Sequence, residues 1–334
     1  MTRKRTQFFL RSYPEPDAMA EHAAAVEADG WDGLLFQDSQ NLTMDVVASL
    51  HLAAAATSQL VVGTAVSNLT SRHPAVVAAT YATLHHVSDG RAHLGVGRGD
   101  TALELLGVKP PTAAEFAQQL RAVQTYLRGE VLDVQGFGSR ITWLPLVGET
   151  KVPVDVFASG PRMIDLAARD ADRVTVTVGA EAERVGWGVR AAREAGAQAV
   201  GAFVVVGVGT DEYALEELVR GNASISAHFQ RNVVRELSVA DAHAVEAVTQ
   251  RYDFYHHGLE HAEQSSGLDA DFLRRFCVLG PPDHCIERLH ALLDIGLDHL
   301  VVVGGSRDID PAVRRRSDHL ISTDVLPALR EHAR

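Results

Sequence analysis

The chain has 334 residues, of which 46% are hydrophobic and 22% are charged, the composition of an ordinary soluble globular protein. Its formal net charge of -12 argues against nucleic acid or an anionic membrane surface as a main partner. No stretch approaches the roughly 20 apolar residues that would span a bilayer, and no apolar signal-peptide region follows the basic N-terminus. The two cysteines form no CxxC pair, which disfavours a disulfide framework or a zinc site and favours a cytoplasmic location.

Short apolar segments alternate with alanine-rich segments along the whole chain, and a helix is predicted after each predicted strand. The strand segments are apolar throughout, as expected for parallel strands that are buried on both faces. Thr43 is the predicted N-cap of the second helix, and Pro74 opens the third, which ends near Val87. In chain order the predicted strands cover residues 6–12, 33–38, 60–66, 92–97, 154–159, 173–178, 199–208 and 297–305.

Eight strand–helix units in a chain of 334 residues favour a (β/α)8 TIM barrel over an open doubly wound sheet, which usually has fewer strands. No change in composition marks a second domain, so we predict a single barrel domain over residues 1–334. Two segments interrupt the alternation and are interpreted as insertions. They are about residues 128–152, after the fourth strand, and about residues 211–276, largely helical, after the seventh.

The glycine-rich segment SDGRAHLGVGRGD, residues 88–100, spans the predicted fourth strand and the loop beyond it. Barrel active sites lie at the C-terminal face of the strands, so glycines there would let a ligand approach the backbone. A dinucleotide-binding loop requires GxGxxG in the first βαβ unit, whereas this spacing is GxGxG in the fourth unit. The alternative interpretation is that the glycines only relieve crowding where the barrel closes.

Polar side chains stand at the ends of three strands whose loops are neighbours in a barrel. Buried or half-buried charges need partners, so we expect these side chains in one site. The alternative is that they only cap one another's loops. They are Asp38 and Ser39 after the second strand, Ser67 and Asn68 after the third, and Arg98 and Asp100 after the fourth.

Glycine turns also follow the fifth, sixth and eighth strands, in FASGPRM, VTVGA and VVVGGSR. After the fifth strand, Ser159, Gly160 and Pro161 precede a predicted helix whose free N–H groups, together with Arg162, would bind an anion. Phosphate sites of barrels are frequent near strands seven and eight, which favours the last of the three turns. An ordinary strand-to-helix turn is the alternative at each position.

Three segments together resemble the luciferase-like flavin-dependent oxidoreductases, a superfamily that includes bacterial luciferase and deazaflavin-dependent reductases. The segments are LHHVSDGRAHLGVGRGD, VVGTAVSNLTSRHPAVVAAT and VPVDVFASGPRMIDLAARDADRVTVTVGA. The variants GTAVSN and GVGRGDTALELLG look most like the branch that uses coenzyme F420, such as methylenetetrahydromethanopterin reductase. The resemblance implies a TIM barrel of the luciferase-like type, a flavin ring at the C-terminal ends of the strands, and a homodimer.

The resemblance also implies roles for particular residues. A non-prolyl cis peptide bond is expected at Ala65–Val66, behind the ring, and Asp38 corresponds to a position near the polar edge of the ring. Ser39 stands where several deazaflavin enzymes carry histidine, which removes a histidine acid there. The predicted catalytic residues are Asp38, Ser39 and Arg98. The predicted cofactor-binding residues are Ala65, Val66, Ser67, Asn68, Gly97, Arg98, Ser159, Gly160, Pro161, Arg162 and Gly179.

We therefore expect an F420-dependent oxidoreductase that transfers a hydride to or from a small organic substrate. An FMN-dependent monooxygenase using O2 is the first alternative, and a binding or partner subunit that has lost its cofactor is the second. Among the sixteen histidines, His257 and His261 have the spacing of two metal ligands on a helix, but no third ligand accompanies them and no metal is predicted. His256 or His257 could instead line the substrate pocket.

Overall fold

A computed structural model of the chain describes residues 5–148, 151–233 and 237–333. Eight parallel strands follow one another around a barrel, which closes because β8 pairs with β1 from Gln7 opposite His299 onwards. Residues 149–150 of the first predicted insertion and 234–236 of the second lie outside the described residues. The strands are β1 (Gln7–Ser12), β2 (Gly33–Phe36), β3 (Val61–Thr64), β4 (Ala92–Gly97), β5 (Val154–Ala158), β6 (Arg173–Val176), β7 (Val200–Val208) and β8 (His299–Val303).

Helices cover the outside of the barrel and bury the second face of each strand. All four residues of β2 and all six of β4 are buried, which agrees with their apolar or small side chains, His93 excepted. The predicted (β/α)8 barrel is therefore confirmed. The helices are α1 (Met19–Ala28), α2 (Val46–Ala56), α3 (Pro74–Val87), α4 (Ala113–Leu127), α5 (Pro161–Asp170), α6 (Ala182–Glu194), α7 (Glu212–Phe229), α8 (Val239–Gln250), α9 (Ala270–Phe276), α10 (Pro282–Leu293), α11 (Pro311–Leu320) and α12 (Leu326–His332).

The starts of α2 and α3 show how capping sets the helix boundaries. Helix α3 begins at Pro74 as predicted, and the Nδ1 atom of His73 accepts a hydrogen bond from the Ala75 N–H at 3.2 Å. The prediction that Thr43 caps α2 is wrong. Asp45 is the cap, since its carboxylate accepts from the Ala48 N–H at 2.9 Å, whereas the Thr43 hydroxyl donates to the Ser39 carbonyl.

The two segments that interrupt the strand–helix alternation have structure of their own. The first contains an antiparallel hairpin, Leu132–Val134 with Phe137–Ser139, and a short helix, Leu144–Val147. In the second, α7, α8 and α9 lie between β7 and a short strand, Val278–Gly280, that pairs with β7 and was not predicted. None of the helices in the described parts of the chain is long and apolar enough to cross a membrane.

A buried polar cluster fills the N-terminal end of the barrel. The Thr175 hydroxyl donates to Oδ2 of Asp155 at 2.7 Å, and the Nε2 atoms of His93 and His299 each lie 3.4 Å from the same oxygen. Burial lowers the pKa of His299 to about 4, so its imidazole is neutral at physiological pH. The barrel is therefore closed at this end, and ligands enter from the other.

Replacing Asp318 by asparagine is expected to stabilise the protein at alkaline pH. Burial raises the pKa of Asp318 from 3.8 to about 6, although the nearby Arg314 opposes the rise. A folded-state pKa above the unfolded value means that the folded protein binds more protons between pH 4 and 6, so its stability falls as the pH rises through that window. The stability that is lost in this window is not regained at higher pH.

Asparagine carries no charge, so D318N should avoid this loss. We expect D318N to be more stable than the wild type by about 1 kcal/mol at pH 8, after allowance for partial solvent exposure, with the difference fading below pH 4. Urea unfolding at pH 4 and pH 8 measures both values. Equal free energies of unfolding at pH 8 would contradict the prediction.

Candidate functional site

A cavity of about 700 Å³ opens at the C-terminal ends of the strands. Its walls come from Arg11 in β1, from Phe203 in β7, from the ends of β2 to β6 and the loops after them, and from the helical segment that follows β7. All three predicted catalytic residues and ten of the eleven predicted cofactor-binding residues line it. The exception is Gly179, where an added Cβ would lie 2.7 Å from the Phe276 ring, so this turn is covered by α9.

The end of β3 forms the floor of the cavity. The peptide bond Ala65–Val66 is cis, as predicted, and Ser67 and Asn68 then pair with the end of β4. An added Cβ on Gly95 would lie 1.9 Å from the Thr64 carbonyl oxygen. The glycines of β4 are thus needed first for the close approach of β3, because a larger residue at Gly95 would collide with backbone.

Asp38 is held at this floor by two partners. The Ser67 hydroxyl donates to Oδ2 of Asp38 at 2.6 Å, and the Arg72 guanidinium forms an ion pair with the same carboxylate. Although burial would lower the pKa of Arg72, the hydrogen bond to Asp38 raises it above its ordinary value. The proximity of Asp38 and Ser67 follows from their neighbouring strands, but the sequence analysis did not identify Arg72 as the partner.

Two amide donors beside Asp38 have no acceptor within the described parts of the chain. Asn68 accepts hydrogen bonds with its Oδ1 from the N–H groups of Thr70 and Ser71, while its buried Nδ2 is one of these two donors. The Nε2 of Gln37 is likewise buried without an acceptor among the described residues. A buried unpaired donor costs about 1–3 kcal/mol, so both amides suit a ligand that offers carbonyl or ring-nitrogen acceptors.

The loop after β4 is tied to the helical segment that follows β7. Arg98 lines the cavity and donates through Nε to the Pro111 carbonyl at 2.9 Å. Asp100 does not pair with Arg98, but forms an ion pair with Arg231 at 2.9 Å and lies 3.3 Å from Nε2 of His228. Burial alone would raise the pKa of Asp100, but His228 and Arg231 hold it below its ordinary value.

His257 lines the cavity on the same side. Its Nδ1 lies 2.7 Å from the Thr101 hydroxyl and 2.8 Å from the Tyr252 hydroxyl. Burial lowers the pKa of His257 to about 3, so the ring is neutral at physiological pH. His261 instead pairs with Asp308 at the surface, and these histidines lie in a segment with only a short 3-10 helix, not on the predicted helix.

The start of α5 faces the cavity without a side-chain cap. Gly160 is its N-cap residue, and the adjacent Ser159 hydroxyl is used elsewhere, donating to the Phe229 carbonyl at 2.9 Å. Gly160, Pro161 and Arg162 all line the cavity, with the Arg162 side chain exposed to solvent. The N–H groups of this first turn therefore suit an anion.

The cavity carries an excess of positive charge, although the whole chain is acidic. Its two aspartates, Asp38 and Asp100, are neutralised by Arg72 and Arg231. Three further arginines in its lining form no ion pair with any carboxylate among the described residues. They are Arg11, Arg98 and Arg162. A cavity of this kind attracts anionic ligands.

The family model of the luciferase-like monooxygenases matches residues 2–299. The chain belongs to this family. It is 25% identical to the 5,10-methylenetetrahydromethanopterin reductase of Methanopyrus kandleri, over 95% of this chain and 96% of that protein. It is 26% identical to the F420-dependent glucose-6-phosphate dehydrogenase of Microbacterium testaceum, over 95% of this chain and 94% of that one.

Solved structures of the family share the fold. The F420-dependent tetrahydromethanopterin reductase of Methanopyrus kandleri superimposes with a TM-score of 0.75 at 22% identity, covering 97% of this chain and 99% of that one. The oxygenating constituent of the 3,6-diketocamphane monooxygenase of Pseudomonas putida, in complex with FMN, gives 0.64 at 17% identity, covering 97% and 98%. The family match and the sequence relatives identify the chain as an enzyme, an oxidoreductase, which removes the alternative of a non-enzymatic subunit.

Proposed function

We propose that this luciferase-like enzyme is an F420-dependent oxidoreductase that transfers a hydride to or from a small organic substrate. The observation that carries the proposal is the uncapped, arginine-flanked start of α5 at the rim of a cationic cavity. The sequence relatives support the choice of cofactor, since both the reductase and the dehydrogenase match over nearly the whole chain and the latter is F420-dependent by name.

The residues present fit such a cofactor. The main-chain N–H groups at Gly160 and Arg162, with the Arg162 guanidinium, would hold an anionic tail. The free amides of Asn68 and Gln37 would donate to the polar edge of a ring. The cis peptide at Ala65–Val66 would support the face of that ring. When bound, the deazaflavin supplies the hydride from its C5 carbon.

The remaining cavity residues would place charged and hydrogen-bonding groups around the ring and the substrate. Arg98 would stabilise negative charge on the ring or substrate, and Asp38, fixed by Arg72, would orient the groups around it. The hydroxyls of Thr101 and Tyr252 both lie within hydrogen-bond distance of Nδ1 of His257 and hold the ring in the cavity wall. His257 would then form a hydrogen bond with the substrate as a neutral ring, because its low pKa leaves it without an acidic proton at physiological pH.

An FMN-dependent monooxygenase is the second candidate. The start of α5 would suit the FMN phosphate equally well, and a structural neighbour with 17% identity is in complex with FMN. Titration of the purified protein with F420 and with FMN, followed by absorbance and fluorescence, separates the two. We expect micromolar binding of F420 and at least tenfold weaker binding of FMN.

A matched pair of variants on α5 tests the site itself. R162A should weaken F420 binding about tenfold, because it removes a charge at the predicted tail site. R169A should leave binding unchanged, because Arg169 is exposed on the same helix and pairs with Asp165. Tight binding of FMN alone would favour the monooxygenase, and binding of neither cofactor would overturn the proposal.

A further inference from the structure

Arg11, at the C-terminal end of β1, is a buried cation without a counter-charge. It is only 8% exposed and lines the cavity. One Nη donates to Oε1 of Gln37, but the buried Nε has no acceptor among the described residues. The guanidinium carbon lies 4.2 Å from the centroid of the Tyr13 ring, which fixes the plane of the group. These two uncharged contacts do not neutralise the guanidinium.

A second arginine lies against the same ring. The guanidinium carbon of Arg307, in the loop after β8, is 6.0 Å from the centroid of Tyr13, and its buried Nη1 has no acceptor among the described residues. Its main-chain N–H donates to the Gly258 carbonyl, next to His257. Neither Arg11 nor Arg307 forms an ion pair with a described carboxylate. The Tyr13 hydroxyl is turned to Asn222 at 3.2 Å and provides no charge.

The two acids that line the cavity do not compensate this pair, and Asp38 is already paired with Arg72. Asp100 is already engaged by Arg231 and His228. Burial is the main cause of the low pKa of His257, and Asp100 opposes it. The positive charges of Arg11 and Arg307 lower this pKa further, so both arginines lie in the surroundings of His257. Two partly desolvated guanidinium groups with free N–H donors suit a carboxylate or phosphate group.

We propose that Arg11 binds an anionic group of the substrate, a carboxylate or a phosphate ester, with Arg307 as a second positive charge behind it. The inference rests on the proposed function, because the substrate is taken to share the cavity with the cofactor. In a barrel of eight strands, β1 lies opposite β5, so Arg11 faces Arg162 across the mouth. The substrate anion and the cofactor tail therefore use opposite rims.

The geometry restricts the substrate further. An anion at Arg11 leaves the rest of the substrate between this rim and the ring, near His257. We therefore infer a small anionic substrate, whose reacting carbon and charged group are separated by only a few bonds. An uncharged alcohol or ketone of the same size would leave the free donors of Arg11 and Arg307 unpaired and would bind more weakly.

Calorimetric titration with inorganic phosphate and with acetate tests the subsite. The protein is first saturated with F420, so that the start of α5 is occupied and does not take up the small anion. R11M should weaken the binding of the preferred anion at least tenfold, and R307M about threefold, because Arg307 lies behind Arg11. R169M is the matched control and should leave both titrations unchanged. The anion that binds more tightly indicates whether the charged group of the substrate is a phosphate ester or a carboxylate.

The outcomes separate this inference from the proposed function. If F420 binds but the R11M and wild-type titrations coincide, the anion subsite is overturned and the proposed cofactor stands. If F420 does not bind, the proposed function fails, and the same titrations on R162A without cofactor still test Arg11. F420 affinity and the thermal midpoint of R11M check its fold. If R11M does not fold, R11K, which keeps the charge but loses the planar fork, and R307M decide the result.

Discussion

Replacing Gly95 by alanine is expected to prevent the barrel from folding. The added Cβ would lie 1.9 Å from the Thr64 carbonyl oxygen and 3.0 Å from the Phe157 ring, both in the strands next to β4. Neither neighbour is the end of a flexible side chain, so β3 and β4 would have to separate by more than 1 Å in a close-packed interior. We expect the loss in free energy of unfolding to exceed about 4 kcal/mol.

The matched control is G209A, just beyond the end of β7. An added Cβ there meets Leu215 at 3.4 Å, an ordinary contact, and Gly209 needs no left-handed backbone. Its free energy of unfolding should stay within about 1 kcal/mol of the wild type. Soluble yield, circular dichroism and urea unfolding measure both variants. A soluble G95A with wild-type unfolding would show that β3 and β4 can separate without cost.

The barrel itself could be predicted because its signal is local and repeated. Each strand is a short apolar run and each helix an alanine-rich segment, so each element can be recognised from its own residues alone. The boundary of α2 could not be fixed in this way. Thr43 and Asp45 are both good caps two residues apart, and only the contact of the Asp45 carboxylate with the Ala48 N–H decides between them.

Strand order predicts only those cavity contacts that join residues at the ends of adjacent strands. Asp38 and Ser67 follow adjacent strands, so their contact could be predicted. Arg231 could not be found, because it lies 131 residues from Asp100 in a segment whose packing no periodicity reveals. The same segment explains Gly179, which has the sequence of a ligand-binding turn but is covered by Phe276. Long-range packing of the segment after β7 decides both cases.

Replacing Gly160 by valine is expected to weaken F420 binding at least a hundredfold. The backbone of Gly160 is extended, with φ of -125°, so valine is not strained there. Its Cβ would lie 2.8 Å from Cγ1 of Val233, and the branched side chain would stand before the N–H groups at the start of α5. A hundredfold loss corresponds to about 2.8 kcal/mol, within reach of removing an anion site.

A double variant separates blocked binding from altered packing. In G160A/V233A the collision with Val233 is removed, while the methyl group at residue 160 remains beside the N–H groups of α5. If the cofactor tail lies there, F420 binding should stay weaker than in V233A alone, and the thermal midpoint should match that of V233A. If G160V binds F420 as tightly as the wild type, the tail does not lie at this turn, and the free amides of α5 have another purpose.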